Sequence, residues 1–523
     1  MKNNPWFVYM ILLLGIFVAL EANAFTTPAL PYISESFGVS TGNSGLLSLL
    51  ASAAAIALAP LFGRLGDQVG RKKLIVWGLA IFSVAQVIKI LTPVVELFLL
   101  GSLLQGIGYA LIFPNVFAYI PELFPENKRG KAIGLFMLFT YIATGTGGIV
   151  AGLLIDTWGW HSVFVLSASF ALIGLVLVSI FVPKSEKGKH AALDYKGATL
   201  FMAAVTLFVG LPLILTNLGP VMLVIGAVVL VAVLVVFIQM QKKTAHPVMD
   251  LKLLKLKGVY IPAILIAFQN FMMLSILMSL TFLTAENPNA TALQVGLITT
   301  VLFSSAAIFS PTIGSLLDRF NPIYLVFISL AFGLVGIVLY LGVDLSSTTT
   351  YILTVMVFVG ICSSFLNASL MKIILLYTPE DKKGVGTGTF SLFKDLGLPV
   401  GATLGLVIYG AAMSSSFDNA IQDQANTLSL TVEQTSQLVA SQTEGISAEL
   451  ENVLTPKNVD ASEILVQAKE QSVASAFNVL GTINLIIFIG LILISLGLLR
   501  LKSISVIKEK LIDPQLQSSR TEI

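Results

Sequence analysis

Apolar stretches of about twenty residues alternate with short polar breaks along this chain, from Trp6 almost to Leu499. As a helix, a run of that length crosses the roughly 30 Å hydrocarbon core of a bilayer. The pattern predicts spanning helices near 5–24, 41–62, 74–92, 97–119, 132–155 and 161–182, then 197–216 and 220–239. Six more follow near 259–283, 293–315, 323–342, 351–374, 386–411 and 474–499. These runs far exceed the roughly 10 residues of a barrel strand, and every backbone amide must be paired inside lipid, so only helices fit. The expectation is an all-α polytopic membrane protein of fourteen helices, grouped six, two and six.

Composition agrees: 56% of the 523 residues are hydrophobic and 11% are charged, against about 25% charged in soluble domains. Charge placement adds orientation. Of the 30 lysines and arginines, 25 fall in the N-terminus, the turns after even-numbered spans and the tail carrying Arg500, Lys502, Lys508, Lys510 and Arg520. Cytoplasmic loops hold the positive excess, so both termini are expected in the cytoplasm. The stretch 413–473, between the last two spans, has Lys457 and Lys469 against nine acids, among them Asp418, Glu444 and Glu470, and is expected outside. Its sparse Leu, Val and Ile at helical intervals suggest an external helical hairpin, a candidate contact for an extracellular partner.

The domain reading is a six-span bundle at 1–190, two extra spans with linkers at 191–257, a second six-span bundle at 258–499 that includes the loop, and a cytoplasmic tail at 500–523. Ala22-Asn23-Ala24 imitates a signal-peptide cleavage site, but the segment is read as span 1. The single cysteine, Cys362, excludes an internal disulfide and a cysteine-based metal site, and is read as core. The three histidines are scattered, and neither a nucleotide-binding glycine loop nor a basic-aromatic surface occurs. No enzyme, cofactor, metal or nucleic-acid partner is expected. The 24 lysines against 6 arginines hint at an AT-rich bacterial genome.

Gly63-Arg-Leu65-Gly-Asp67 recurs as Gly314-Ser-Leu316-Leu-Asp318, each copy after the second span of a six-span set. Two copies at equivalent places imply two related halves with a site between them, an organisation of secondary transporters. Gly63, Leu65, Asp67, Gly70, Arg71, Lys72 and Lys73 resemble the signature loop of the Major Facilitator Superfamily. The stretches "LLQGIGYA" (103–110), "FPENKRGKAIG" (124–134), "DYKG" (194–197), "HPVMDLKLLK" (246–255) and "KDLGLPVG" (394–401) resemble its fourteen-span drug/proton antiporter branch. The resemblance implies alternating access, with the signature loop as a clasp between the halves formed by Gly63, Asp67, Gly70, Arg71 and Asp318. Physically, the two glycines permit a tight turn and close helix approach, and Asp67 can face the span 3 dipole or accept from Arg71.

The sequence also departs from the branch. Ser102 stands where span 4 of the antiporters carries an arginine, leaving that helix without its buried cation. Span 5 reads Gly147-Gly148-Ile-Val-Ala151-Gly152, which keeps small residues for close packing but lacks the proline.

Charged residues within spans are functional candidates because they are costly there. Glu21 and Asp395 are the proton-coupling candidates; Asn23, Gln105 and Lys394 are candidates for the substrate cavity. Adjacent on one helix, Lys394 and Asp395 need not pair. Lys89 and Lys372, close to span ends, are expected to snorkel to the surface. Phe268, Phe271, Met272 and Met273 either line a greasy pocket or simply pack. The favoured reading is proton-coupled efflux of small amphipathic compounds across a cell membrane. A lipid or glycolipid flippase or differently coupled exporter would also suit the missing arginine, and a non-transporting sensor or scaffold is the alternative of a different class.

Overall fold

A computed structural model describes residues 4–184, 195–244, 252–287, 289–379, 383–428, 430–431, 433–438 and 461–499. The side chains of Glu21, Asn23 and Asp67 lie outside that description, as do Asp194, residues 246–251 and the tail from 500. The described residues are helical throughout their ordered elements, without a strand.

The first six helices are α1 (Pro5–Ser36), α2 (Leu46–Val69), α3 (Arg71–Leu91), α4 (Val95–Leu123), α5 (Glu126–Trp158) and α6 (His161–Phe181). A long α7 (Tyr195–Gln241) follows. The last set is α8 (Lys257–Glu286), α9 (Ala292–Arg319), α10 (Pro322–Leu341), α11 (Thr349–Tyr377), α12 (Lys383–Thr427) and α13 (Ala461–Leu499). Eleven of the described helical stretches are long and apolar enough to cross a membrane. Three shorter apolar ones, Pro5–Gly15, Ile142–Trp158 and Lys196–Leu211, fall where spans 1, 5 and 7 were expected.

Local chemistry sets the helix starts. Asn4 caps α1 by accepting from the Trp6 amide at 3.0 Å, with Pro5 in the first turn. Thr291 and Gln294 form a reciprocal capping box at the start of α9. Several helices outrun the apolar runs that predicted them. α1 continues through Pro28 and Pro31 to Ser36, because prolines are tolerated where neighbouring helices cover the freed backbone groups. The two extra spans form one element bent at Gly219, whose φ of 80° needs a glycine. At the signature, residues expected as a loop are helix: Gly63–Val69 is the end of α2. Gly70, with φ 103°, turns the chain directly into α3. The second copy likewise closes α9.

One apolar core joins α1, α3, α4, α5 and α6 around Tyr9, Leu79, Phe82, Ile112 and Phe136. A second joins α8 to α13 around Leu265, Ile276, Met356, Leu366 and Phe488. A third links the two sets, packing Phe25, Leu30, Leu47 and Ile155 with Met278, Phe282, Ala402 and Leu406. The first arm of α7 lies against α2 and α12 through Phe201, Val205 and Val209, while Val221, Val224 and Val228 of its second arm are exposed, as a lipid-facing helix requires.

Both arms of the expected hairpin are helical. α12 and α13 extend beyond their apolar runs, and Phe417 and Ile421 pack on Leu438, Ile464 and Ala468. Lys469 on α13 pairs with Glu286 at the end of α8 at 2.8 Å.

Candidate functional site

The two six-helix sets meet along α5 and α9. A Cβ added at Gly148 would fall on the Gly296 carbonyl oxygen, and one at Gly296 on that of Gly148. The helices touch backbone to backbone, which is what the small residues of "GGIVAG" supply in place of the missing proline. Farther along, a Cβ on Gly152 would lie 2.6 Å from the Leu293 Cα. The Ile149 amide donates to the Thr300 hydroxyl at 2.9 Å. At the end of this seam the Asp156 carboxylate accepts from the Ala292 and Leu293 amides, at 2.7 and 3.0 Å. A carboxylate on the first free amides of a helix is a charge-assisted contact reinforced by the helix dipole. A separate contact between the two sets is made by Gly42, in the short turn Thr41–Asn43, which abuts Gly410 of α12: a Cβ on Gly410 would lie 2.5 Å from the Gly42 amide nitrogen.

At the opposite end, the ion pairs of Arg71 and Asp318 each form within one set. Arg71 pairs with Glu122 of α4 at 2.8 Å and donates to the Ala118 carbonyl. Lys72 donates to the Ser179 and Val182 carbonyls at the end of α6, at 2.9 and 2.5 Å, where the helix dipole favours a cation. Asp318 is 86% exposed and 4.0 Å from Lys372, whose ammonium also reaches the Leu317 carbonyl. Thus Lys372 bonds to its neighbouring helix end instead of extending freely. At Gly63 a Cβ would meet Pro114 at an ordinary 3.5 Å. The tight approach lies at Gly66, where a Cβ would fall on the Asn115 side chain of α4.

Lys394 and Asp395 pair at 3.4 Å, 38% and 43% exposed, about nine residues into the apolar run of span 13. Tyr109 of α4, stacked on Phe113, lies within electrostatic reach of Asp395. Met272 and Met273 are core, whereas Phe268 is 46% exposed. Cys362 is buried, beside Ser329.

One candidate sits elsewhere than expected. Gln105 is buried and faces α3, where its Oε1 accepts from the Lys89 Nζ at 2.6 Å. Lys89 does not snorkel: it is 1% exposed, with its Nζ 4.7 Å from the Phe98 ring centroid and 5.1 Å from that of Phe164. Gly101 makes room for its stem, since a Cβ there would lie 2.8 Å from the Lys89 Cγ. Ser102, in the place of the arginine, donates to the Leu47 carbonyl at 2.8 Å. The buried basic group missing from span 4 is supplied by the neighbouring helix and reaches the glutamine one turn along. Position near a span end suggested snorkelling; only the facing glycine signals an inward path. The last set has a neutral counterpart, with Ser279 bonded to Tyr340 at 2.8 Å and Asn484 to Ser275 at 3.4 Å.

Away from the seam, a polar hollow of about 270 Å³ lies between the α8–α9 and α10–α11 turns. There the Ser346 and Ser347 hydroxyls hold the Asp344 carboxyl below the usual aspartate range.

Comparison with known proteins agrees with this architecture. The family model of the Major Facilitator Superfamily matches residues 12–256 and 260–417. The multidrug resistance protein Stp of Mycobacterium tuberculosis is 25% identical over 411 residues, covering 77% of this chain and 74% of that protein. Multidrug resistance protein 3 of Bacillus subtilis is 23% identical over 424 residues, covering 80% and 81%. Among solved structures, a bacterial homologue of the human lysosomal transporter Spinster superposes with a TM-score of 0.66 at 15% identity, covering 95% of this chain and 98% of that one. With the family model matching most of the chain and the helical architecture shared, this membrane transporter belongs to the Major Facilitator Superfamily.

Proposed function

We propose that the protein exports amphipathic drugs or similar small hydrophobic compounds, coupled to protons, by alternating access between its first and last six helices. The observation that carries this reading is the unequal interface. One end is packed backbone to backbone at Gly148 and Gly296 and latched by Asp156, while Arg71 and Asp318 at the other end bond within their own sets. An interface packed shut at one end, with the Arg71–Glu122 and Lys372–Asp318 pairs at the other each formed within one set, suits one of the two states of a rocking carrier. With both termini cytoplasmic, the shut end is the outer one.

Asp395, half-exposed beside Lys394, is a carboxylate whose solvation can differ between states. Glu21 is the second candidate for carrying the proton, and Asn23 and Lys394 for meeting substrate. The relatives named for multidrug resistance favour drugs as the substrate class.

The test uses purified protein in liposomes with cationic, neutral and lipid probes, with and without a pH gradient. Wild type should accumulate a drug-like probe only with the gradient. Glu21→Gln or Asp395→Asn should abolish accumulation while leaving binding intact. Transport that ignores the gradient removes proton coupling, movement of the lipid probe alone identifies a flippase, and no movement of any probe ends the transport reading.

A further inference from the structure

Lys89, on α3, is buried against α4 and α6. Its bonding partners are all neutral: Gln105 Oε1 at 2.6 Å and the faces of Phe98 and Phe164. Among the described residues no carboxylate comes within 4.0 Å of its Nζ. The titratable groups on the elements packed around it are Glu96 in the first turn of α4 and His161 at the start of α6, and neither bonds to it. On its own helix, Gln86 is completely buried, and its Oε1 has no partner. An ammonium has three donors, yet here one acceptor is engaged while another buried acceptor stays unmatched.

The cover over this group is aromatic. Phe37, at the end of α1, contacts Phe98 and Trp160 at 5.8 Å each, and Trp160 contacts Phe164 at 6.0 Å. Five residues after Phe37 comes Gly42, which abuts Gly410 across the interface. The ring that closes over Lys89 is thus joined by a short turn to a second close contact between the two sets, which parts with the seam when the sets rock apart.

We propose that Lys89 is a proton-exchange site of the transport cycle, its amine neutral beneath the closed aromatic cover and protonated when opening of the seam draws Phe37 away and admits water. The step is R–NH₂ + H₃O⁺ → R–NH₃⁺ + H₂O, reversed when the cover closes. In the closed cage a charge has no opposite charge to face, whereas a hydrated one needs none. The inference rests on the alternating-access reading but not on which compound is carried.

Linkage makes it measurable without a substrate: the state that binds the proton gains population as pH falls, by up to about tenfold per pH unit for one proton. Spin labels at Trp158→Cys and Asn289→Cys, in a Cys362→Ser background, would report the width of the seam in purified full-length protein between pH 6 and 9. Wild type should shift toward the wider distance as pH falls. Lys89→Met should stay narrow throughout, and Lys89→Gln should repeat that result should the first variant fail to fold. Lys89→Arg, which keeps its charge, should be wide at every pH. Asp156 is intact in all variants, so its own response is common to every profile. Superimposable profiles for wild type and the neutral variants would overturn the proposal. Failure of drug export would leave this measurement readable, so the two ideas fail separately.

Discussion

The two ends of the interface use different chemistry. At the seam end, contact is backbone on backbone, Gly148 against Gly296, with a carboxylate bonded to two amides of the opposite set. At the signature end, long charged side chains do the bonding, and Arg71 with Glu122 and Lys372 with Asp318 each remain within one set. Glycine contacts have no rotamers to rearrange, so they tolerate little intermediate separation; ion pairs on long stems are partly exposed and exchange partners cheaply. The seam therefore behaves as a stop, and the signature end as a set of charges able to find new partners.

The largest effect should come from filling the seam. Gly148→Val places methyls onto the Gly296 carbonyl, and overpacking of about 1–3 kcal/mol would shift the population away from the closed seam by about fivefold to a hundredfold or more. The label pair at Trp158 and Asn289 checks this, and an unchanged distance would show that the backbone contact is not the stop. Next, Asp156→Asn weakens two charge-assisted bonds, a loss of about 1–2 kcal/mol, and should widen the same distance. Asp318→Asn at the other end should not. Equal responses would erase the contrast between the ends.

A smaller effect is expected at the signature itself. Asp67→Asn preserves size and should slow transport several-fold while insertion and surface expression survive. A normal transport rate would make the loop a topological anchor only. The smallest effect tests a turn outside the seam. Since hydroxyl bonds hold the Asp344 carboxyl below its usual range, their stabilisation is present above the ordinary aspartate pKa and lost as pH falls through the lowered value. Ser346→Ala with Ser347→Ala should reduce amide protection across 344–349 near neutral pH, with the difference fading in acid and the seam distance unchanged.

Hydropathy alone determined that this chain is a membrane-embedded helical protein, because lipid demands internally bonded backbone and leaves long apolar runs no other structure. The repeat of Gly63 to Asp67 at Gly314 to Asp318 made the family legible, since that spacing recurs at one topological position. Helix limits were less legible: apolar runs report where lipid lies, and α1, α2, α12 and α13 continue through polar sequence that intrahelical bonds support equally well. Side-chain direction was hidden altogether. Lys89 lies two residues from the end of α3, and nothing in its neighbours along the chain says that it turns inward; Gly101, Gln105, Phe98 and Phe164 come from two other helices. Asp156 follows the last residue of the expected span 132–155, and only the docking of α5 on α9 put its oxygens on two amides more than a hundred residues away. Periodicity and composition are properties of one helix in lipid. Which charges meet is a property of how helices pack, and that is where the structure decided.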